Sequence, residues 1–265
     1  MIRLAINGAT GRMGRRLVAL SRADASFDLV SATCSEKSTN LNQDAGELAG
    51  IGPIGLATRS RIEKNPQVVI DFSSPAGAVY AVEYCLTNEI PLMLATTGMD
   101  KSFESQVIET SKKIPVCFAA NTSLAVNLTM KLAQIAAKAL GKQSSQVDVE
   151  IIERHHRFKA DAPSGTALKF GKLIADAMGQ ETHRHGRQGE TGQRPKSEIG
   201  YHAVRAGDDA GQHTILFALL GELIELRVAA SNRDCYALGA LAAAKFLVNR
   251  NPGMWSMNDV LGIDV

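Results

Sequence analysis

The sequence predicts an α/β protein of two domains, in which a doubly wound parallel sheet is followed by a smaller α+β domain with an open mixed sheet. Three observations support this prediction. A strand, a glycine loop, a helix and a second strand fill roughly the first 33 residues, strands and helices alternate to about residue 120, and the rhythm changes beyond residue 124.

The first domain is predicted from the alternation of strands and helices. Residues 2–7 and 28–33 have the composition of buried strands, residues 8–14 form a glycine-rich loop between them, and residues 15–23 have helical spacing. The further predicted strands are 68–72, 91–95 and 116–119, and the further helices are 75–88 and 103–112. Helical crossovers between successive strands are typical of a Rossmann-type parallel sheet.

In the second part of the chain, helices separate the strands less regularly. The predicted elements are helices at 124–140 and 164–178 and strands at 147–154, 199–205, 213–219 and 222–230, the last two joined by a hairpin at Leu220-Gly221. Residues 182–197, rich in Gly, Arg, His, Gln and Glu, predict a mobile surface loop that includes His183 and His185. We therefore expect an open sheet of about four strands, and an apolar helix at 235–249 that returns to the first domain.

Composition and charge exclude several classes of function. The 265 residues carry 29 basic and 27 acidic side chains, and this near balance gives no overall attraction to nucleic acid. No apolar run reaches the length of a membrane span. The four cysteines, at positions 34, 85, 117 and 235, have neither disulfide nor zinc spacing. The expectation is a cytoplasmic protein without a bound metal and without nucleic-acid or membrane partners.

The glycine loop GATGRMG at residues 8–14 predicts a dinucleotide site. Glycine lets the backbone turn tightly and approach a pyrophosphate, and the N–H groups at the start of the following helix bind its oxygens. Thr10 stands where the commonest fingerprint has its second glycine. The alternative is a tight strand-to-helix turn without a ligand.

The residues at the end of the second strand are expected to determine whether the protein prefers NADH or NADPH. An acid there binds the ribose hydroxyls, whereas a basic residue accepts the 2′-phosphate. The segment from Thr33 to Ser38 has no acid at the strand tip, and Arg12 and Lys37 are expected to reach a 2′-phosphate. The sequence favours NADPH and leaves NADH open.

The segment ERHHRFKADAPSGTA at residues 153–167 predicts an acidic-substrate site. Five basic or imidazole side chains fall between Arg154 and Lys159, and a helix start with free backbone donors follows at once. One substrate carboxylate is expected at that helix start and another at Lys159 and His156, with His155 as the proton donor. The alternative is a solvated basic strand end before an ordinary capped helix. A zinc site is disfavoured because adjacent histidines point to opposite faces of a strand.

The two motifs together resemble the dihydrodipicolinate reductase family. The similarity also includes residues 44–50, 95–98, 119–121 and 204–208. The resemblance implies NAD(P)H-dependent reduction of (2S,4S)-4-hydroxy-2,3,4,5-tetrahydrodipicolinate to tetrahydrodipicolinate, with hydride transfer to C4 and loss of water, in diaminopimelate and lysine biosynthesis. It also implies a homotetramer joined through the sheet of the second domain. The domains are accordingly assigned as 1–123 with 236–265 for dinucleotide binding, and 124–235 for substrate binding and oligomerisation.

The resemblance also implies roles for individual residues. His155 matches the proton donor and Lys159 a second proton donor, and the substrate-binding positions are His156, Lys159, Gly165 and Thr166. The cofactor-binding positions are Gly8, Ala9, Thr10, Gly11, Arg12, Met13, Cys34, Ser35, Lys37, Ala95, Thr96, Thr97, Ala119, Ala120, Asn121 and Thr122. Cys34 replaces an acid found in many members, Ala95 replaces a glycine, and Thr122 replaces an aromatic residue.

Two alternative functions share the predicted first domain. One is another two-domain nicotinamide oxidoreductase acting on a small amino or sugar acid, and the other is a dinucleotide sensor without catalysis. Neither alternative has a need for the combination of His155, Lys159 and the helix start at Gly165.

Overall fold

The structure is a computed structural model that describes residues 1–142 and 147–263. The chain divides into two compact units, residues 1–124 with 233–265 and residues 125–232. The predicted end of the first domain, residue 265, lies outside the described residues.

The strands and helices alternate along the chain. The strands are β1 (Ile2–Asn7), β2 (Phe27–Thr33), β3 (Val68–Asp71), β4 (Leu92–Leu94), β5 (Pro115–Phe118), β6 (Asp148–His155), β7 (Thr182–His185), β8 (Glu198–Arg205), β9 (Gln212–Leu219), β10 (Glu222–Ala229) and β11 (Gly253–Trp255). The helices are α1 (Arg12–Ala23), α2 (Ala45–Ala49), α3 (Pro75–Asn88), α4 (Lys101–Ser111), α5 (Leu124–Leu140), α6 (Gly165–Met178), α7 (Asp234–Leu247) and α8 (Met257–Val260).

The first unit contains a six-stranded sheet in the order β11-β5-β4-β3-β1-β2, and every pairing in it is parallel. Both faces are buried, as helical crossovers require. Leu4 and Ile6 pack with α1 and α7 on one face, and Ala5 packs with α3 and α4 on the other. The strand order reverses direction beside β1, so a crevice is expected at the carboxyl ends of β1 and β3. The predicted doubly wound α/β class is confirmed.

The second unit contains a five-stranded mixed sheet in the order β10-β9-β6-β8-β7. β6 and β8 are parallel, whereas β9 is antiparallel to β6 and to β10. Helices α5 and α6 cover one face, where Phe170 packs with Val149 and Ile151 of β6. Side chains alternate along a strand, so Glu153 continues this buried row, while Ile152 lies on the other face. An acid therefore stands at the end of an apolar row.

Several elements differ from the predictions. Helix α1 begins at Arg12 rather than at residue 15, so Gly14 belongs to its first turn. Residues 182–185 form β7 instead of a loop, which gives five strands rather than four. All four of these residues are exposed, as expected for His183 and His185, so no alternation of apolar residues indicated the strand. Elements α2, β11 and α8 were not predicted, since they are too short for a periodic pattern.

Ion pairs hold the segment that follows β7, which was predicted as a mobile loop. Arg187 pairs with Glu150 and Glu198, and Arg194 pairs with Glu150 and Asp148. Burial raises the pKa of Glu150, but the hydrogen bonds from Arg187, Arg194 and a neighbouring histidine outweigh it and lower the pKa to about 2. The segment is thus tied to the strands β6 and β8 by charge.

None of the helices in residues 1–142 and 147–263 has both the length and the apolar character to span a membrane.

Candidate active site

The turn between β1 and α1 is built on two glycines. Gly8 has a φ of +85°, and a Cβ there would lie 2.4 Å from the carbonyl oxygen of Phe72. A Cβ on Gly14 would lie 2.1 Å from the carbonyl oxygen of Gly8. Only glycine allows this close approach, which sets the start of α1 directly against the ends of β1 and β3.

The amino end of α1 is open to an anion. Its N-cap, Gly11, has no side chain to accept from the first amides, and no acid lies in the first turn. The side chains of Ser74, Asp100 and Ser164 cap α3, α4 and α6 in the usual way. The uncapped amides of α1, the helix dipole and the Arg12 side chain together favour a phosphate. The residues of the glycine loop thus form a cradle that fits a dinucleotide.

A buried polar network lies under the ends of the neighbouring strands. The Asp71 carboxylate accepts from Asn7 Nδ2 at 2.7 Å and from the hydroxyls of Ser73 and Thr96. Burial raises the pKa of Asp71, although these hydrogen bonds oppose the shift. Asn7 Oδ1 in turn accepts from Thr33 Oγ1 at 2.6 Å. The network joins the carboxyl ends of β1, β2, β3 and β4 and fixes the crevice in which these strands end.

Some of the predicted cofactor positions lie at the crevice and others are engaged in the protein. Cys34 and Ser35 line a cavity beside Gly8. Thr96 is occupied by the Asp71 network. Thr122 is buried, and its hydroxyl donates to the carbonyl oxygen of Tyr236 at 2.7 Å. The hydroxyls of Thr96 and Thr122 therefore serve internal hydrogen bonds.

In the second unit, the end of β6 carries an acid and a histidine on one face. His155 Nδ1 lies 2.5 Å from Glu153 Oε2. The same carboxylate accepts from both terminal nitrogens of Arg205, at 2.6 and 2.8 Å, and from the backbone N–H of Ser164 at 3.0 Å. Burial alone would raise the pKa of Glu153, but the hydrogen bonds from Arg205 and His155 hold it below its usual value. Glu153 is thus ionised inside the unit.

An ionised Glu153 decides which nitrogen of His155 carries the proton. A carboxylate can only accept, so Nδ1 of His155 is the donor in this pair. The reactive atom is therefore Nε2. Gly211, with a φ of +130°, makes room for it, because a Cβ there would lie 2.9 Å from His155 Nε2.

His213 contacts Ser164, the N-cap residue of α6. Its Nε2 lies 3.0 Å from Ser164 Oγ, and that oxygen accepts from the Ala167 N–H. Burial, and after it the neighbouring His155, lowers the pKa of His213 to about 4. A neutral His213 can accept a hydrogen bond from Ser164 through an unprotonated Nε2. The cap of α6 thus depends on a histidine from β9.

Two predicted substrate-binding residues have unusual surroundings. Nδ1 of His156 is buried and has no hydrogen-bond partner among the described residues. A buried polar atom without a partner is costly unless a ligand or water satisfies it. Lys159 Nζ pairs with Asp161 Oδ1 at 2.7 Å. Gly165 opens the first turn of α6, and a Cβ there would meet nothing within 4 Å.

Segment 204–209 completes this site, although the sequence alone assigns no role to its residues. The backbone N–H groups of His156 and Arg157 donate to the carbonyl oxygens of Asp209 and Gly207. Arg154 pairs with the Asp209 side chain at 2.5 Å. The sequence did indicate that this segment is functional, because residues 204–208 are among those that resemble the dihydrodipicolinate reductase family. What the sequence lacked was the pairing of β6 with β8, which sets His155 opposite Arg205.

Two family models match nearly the whole chain. The model described as dihydrodipicolinate reductase, N-terminus, matches residues 2–122, and the one described as dihydrodipicolinate reductase, C-terminus, matches residues 125–261. The chain belongs to the dihydrodipicolinate reductase family.

Individual relatives agree with this membership. The chain is 53% identical to the 4-hydroxy-tetrahydrodipicolinate reductase of Rhodopirellula baltica, over 99% of this chain and 96% of the relative. It is 45% identical to the reductase of Alkalilimnicola ehrlichii, over 98% of this chain and 99% of the relative. The dipicolinate-bound dihydrodipicolinate reductase from Paenisporosarcina sp. TG-14 matches with a TM-score of 0.77 and 27% identity, covering 97% of each chain.

Membership of the dihydrodipicolinate reductase family confirms the predicted enzyme class, reaction and type of cofactor. The chain is a reductase of diaminopimelate and lysine biosynthesis that uses NADH or NADPH. The two alternative functions are set aside. The roles of individual residues stay predictions.

Proposed function

We propose that the chain reduces (2S,4S)-4-hydroxy-2,3,4,5-tetrahydrodipicolinate to tetrahydrodipicolinate, with loss of water, through His155 as the proton donor. The observation that carries this assignment is the pairing of His155 Nδ1 with the buried carboxylate of Glu153. A histidine oriented in this way presents Nε2 for proton transfer.

The nucleotide is assigned to the first unit. The open amides at the start of α1 and the glycine cradle at Gly8 and Gly14 are suited to its pyrophosphate. When bound, the nicotinamide supplies the hydride that reduces C4 of the substrate ring. Residues 95–97 and 119–122 are proposed to line the nicotinamide, in keeping with the family resemblance.

The two substrate carboxylates are assigned to the second unit. One is placed at the first turn of α6, at Gly165 and Thr166, because the dipole and the amides of a helix start favour an anion. The other is placed at His156 and Lys159. The buried Nδ1 of His156 supports this placement, since it lacks a partner among the residues described. A carboxylate at Lys159 would compete with Asp161 for the ammonium group.

The proton inventory follows from the charges on the site. His155 gives a proton through Nε2, and Glu153 accepts from Nδ1 and holds the ring in that orientation. Arg205 neutralises Glu153 and keeps it from taking the proton itself. Lys159 is proposed as the second donor: it protonates the 4-hydroxyl, which leaves as water while the neighbouring ring carbon loses a proton. As C4 is reduced, His155 returns a proton to that neighbouring carbon, so that overall one hydride and one proton are taken up and one water is released.

The assembly proposed is a homotetramer joined through the outer face of the sheet in the second unit. Ile152, Val204 and Leu223 on that unit's strands are between 38% and 55% exposed, and they line one groove. Exposed apolar side chains of this kind are typical of subunit interfaces. Sedimentation equilibrium tests the proposal, and a monomer at micromolar concentration contradicts it.

A cytoplasmic location is proposed as well.

A steady-state assay tests the catalytic assignment. Freshly generated 4-hydroxy-tetrahydrodipicolinate is supplied with NADH or NADPH to the wild type and to His155→Ala. We expect kcat to fall about 100-fold or more, the usual contribution of a general acid, while the Kd of the nucleotide changes less than about twofold. An unchanged kcat in His155→Ala would exclude His155 as the proton donor.

A further inference from the structure

A cavity of about 250 Å³ lies at the carboxyl end of β2, beside the glycine loop. Gly8 and Cys34 line it together with the hydroxyl residues Ser35 and Ser60. In a doubly wound sheet, the adenosine ribose of a dinucleotide lies over this strand end. The residue that meets the ribose selects between a free 2′-hydroxyl and a 2′-phosphate.

No carboxylate stands at the tip of β2 in this chain. Cys34, a residue that is 8% exposed, occupies that position, and its backbone N–H donates to the carbonyl oxygen of Arg59 at 2.9 Å. A thiol is a weak acceptor and cannot hold two ribose hydroxyls as a carboxylate does. Among the described residues that line the cavity, Glu36 is the one acid, and it is exposed.

The same cavity is lined by a guanidinium from a distant part of the chain. Thr33 forms a parallel bridge with Arg59, and the Arg59 N–H donates to the carbonyl oxygen of Ala32 at 3.0 Å. These hydrogen bonds lay the segment after Arg59 along the end of β2. Arg61, two residues further on, thereby reaches the ribose end of the crevice.

Arg61 is held in place without being neutralised. Its guanidinium carbon lies 4.9 Å from the ring centroid of Tyr80, and the Tyr80 hydroxyl accepts from the backbone N–H of Ile62 at 2.8 Å. No ion pair to Arg61 occurs within the described ranges. By contrast, Arg59 donates to Asn42 at 2.6 Å and lies 3.8 Å from Glu63. Arg61 therefore offers a positioned cation whose hydrogen-bond donors are available.

We propose that Arg61 binds the 2′-phosphate of NADPH, with the hydroxyls of Ser35 and Ser60 as further donors, and thereby makes NADPH the preferred cofactor. The proposal rests on the nucleotide site proposed above. A guanidinium matches the geometry of a phosphate with two parallel hydrogen bonds, which an ammonium cannot do. Glu36 opposes the phosphate, but its exposure lets solvent screen the repulsion.

The test measures equilibrium Kd values of NADPH and NADH by nucleotide fluorescence on the wild type, Arg61→Ala and Arg22→Ala. Arg22 is an exposed arginine in the last turn of α1 and serves as the matched control. For the wild type we expect NADPH to bind at least about tenfold more tightly than NADH. Arg61→Ala should weaken NADPH roughly 10- to 100-fold, the range of a charge-assisted hydrogen-bond pair, and NADH less than about twofold. Arg22→Ala should change neither.

A nucleotide fragment separates the phosphate contact from a contact with the base. Adenosine 2′-monophosphate should displace NADPH from the wild type more strongly than adenosine 5′-monophosphate does, and this difference should vanish in Arg61→Ala. Equal loss of NADH and NADPH affinity would overturn the proposal and place Arg61 against the adenine. Unchanged NADPH affinity in Arg61→Ala would overturn it while the nucleotide site stands. A wild type that binds neither nucleotide would overturn both.

Discussion

The two helix starts that carry the proposed sites are built in opposite ways. Helix α1 begins at an uncapped glycine, and its amides are presented by backbone geometry alone. Helix α6 begins behind Ser164, whose side chain caps the helix and contacts His213. The first kind of site needs only a local run of glycines. The second needs side chains from three strands, so it can respond to charge, protonation and mutation far along the chain.

The largest effect is expected from replacing Glu153, the buried acid at the centre of the site beside α6. Glu153→Gln removes the buried charge that Arg205 and His155 share. Arg205 is itself 18% exposed, so the loss of stability should lie at or below the roughly 3–5 kcal/mol of a fully buried pair. Gln also lacks a second acceptor oxygen for His155 Nδ1. We expect a fall in kcat of about 10- to 100-fold and a change in the pH profile of kcat, measured by steady-state kinetics, with little change in nucleotide Kd.

A double variant separates the two roles of Glu153, which are to orient His155 and to stabilise the fold. Glu153→Gln with Arg205→Met removes the stranded cation along with the acid, so the free energy of unfolding should recover most of its loss. The rate should not recover, because His155 still lacks its carboxylate partner. Recovery of kcat together with stability would show that Glu153 matters only for folding.

The pH dependence of stability tests the start of α6, because His213 contacts its N-cap residue Ser164. His213 has a pKa of about 4 in the folded protein against 6.5 for the ordinary group. Between these values the unfolded chain binds a proton that the folded chain refuses, so stability is lost as the pH falls from about 6.5 to about 4. The loss should approach about 3 kcal/mol, measured by denaturant unfolding. His213→Gln should flatten the curve in this window, and an unchanged slope would assign the pH dependence to other groups.

A glycine pair compares the two helix starts directly. Gly14→Ala places a Cβ 2.1 Å from the carbonyl oxygen of Gly8, whereas Gly165→Ala meets nothing within 4 Å. The first change should lower the free energy of unfolding by about 1–3 kcal/mol and weaken nucleotide binding. The second should leave stability within about 0.5 kcal/mol. Thermal unfolding with and without nucleotide distinguishes them, and equal effects would contradict the backbone cradle.

The smallest expected effect concerns the exposed partner of Lys159. Asp161→Asn frees the ammonium group from a pair in which Asp161 is 59% exposed. Because solvent screens such a pair, the gain in substrate affinity should be below about fivefold, seen as a lower KM at unchanged kcat. A rise in KM would show that Asp161 positions Lys159 for the substrate instead of competing with it.

Local sequence patterns anticipated the elements that bury an apolar face. Helix α5 and strands β1 to β5 lie within about two residues of their predicted bounds. The sequence did not predict strand β7, because all of its residues are polar and exposed. Only its pairing with β8 defines the strand. The sequence predicts a loop from Gly8 to Gly14, whereas α1 already begins at Arg12 and includes Gly14, whose Cβ position is closed by the carbonyl oxygen of Gly8.

The sequence by itself determined the class of fold, the glycine turn and the group of basic residues from 154 to 159, since each depends on neighbours in the chain. Only the tertiary structure decided that Arg205 and His213 join Glu153 and His155. The order β9-β6-β8 brings them together, and that order follows from which strands pair to bury a common face. Arg61 reached the cofactor crevice in the same way, through a bridge to Thr33 that no local pattern encodes.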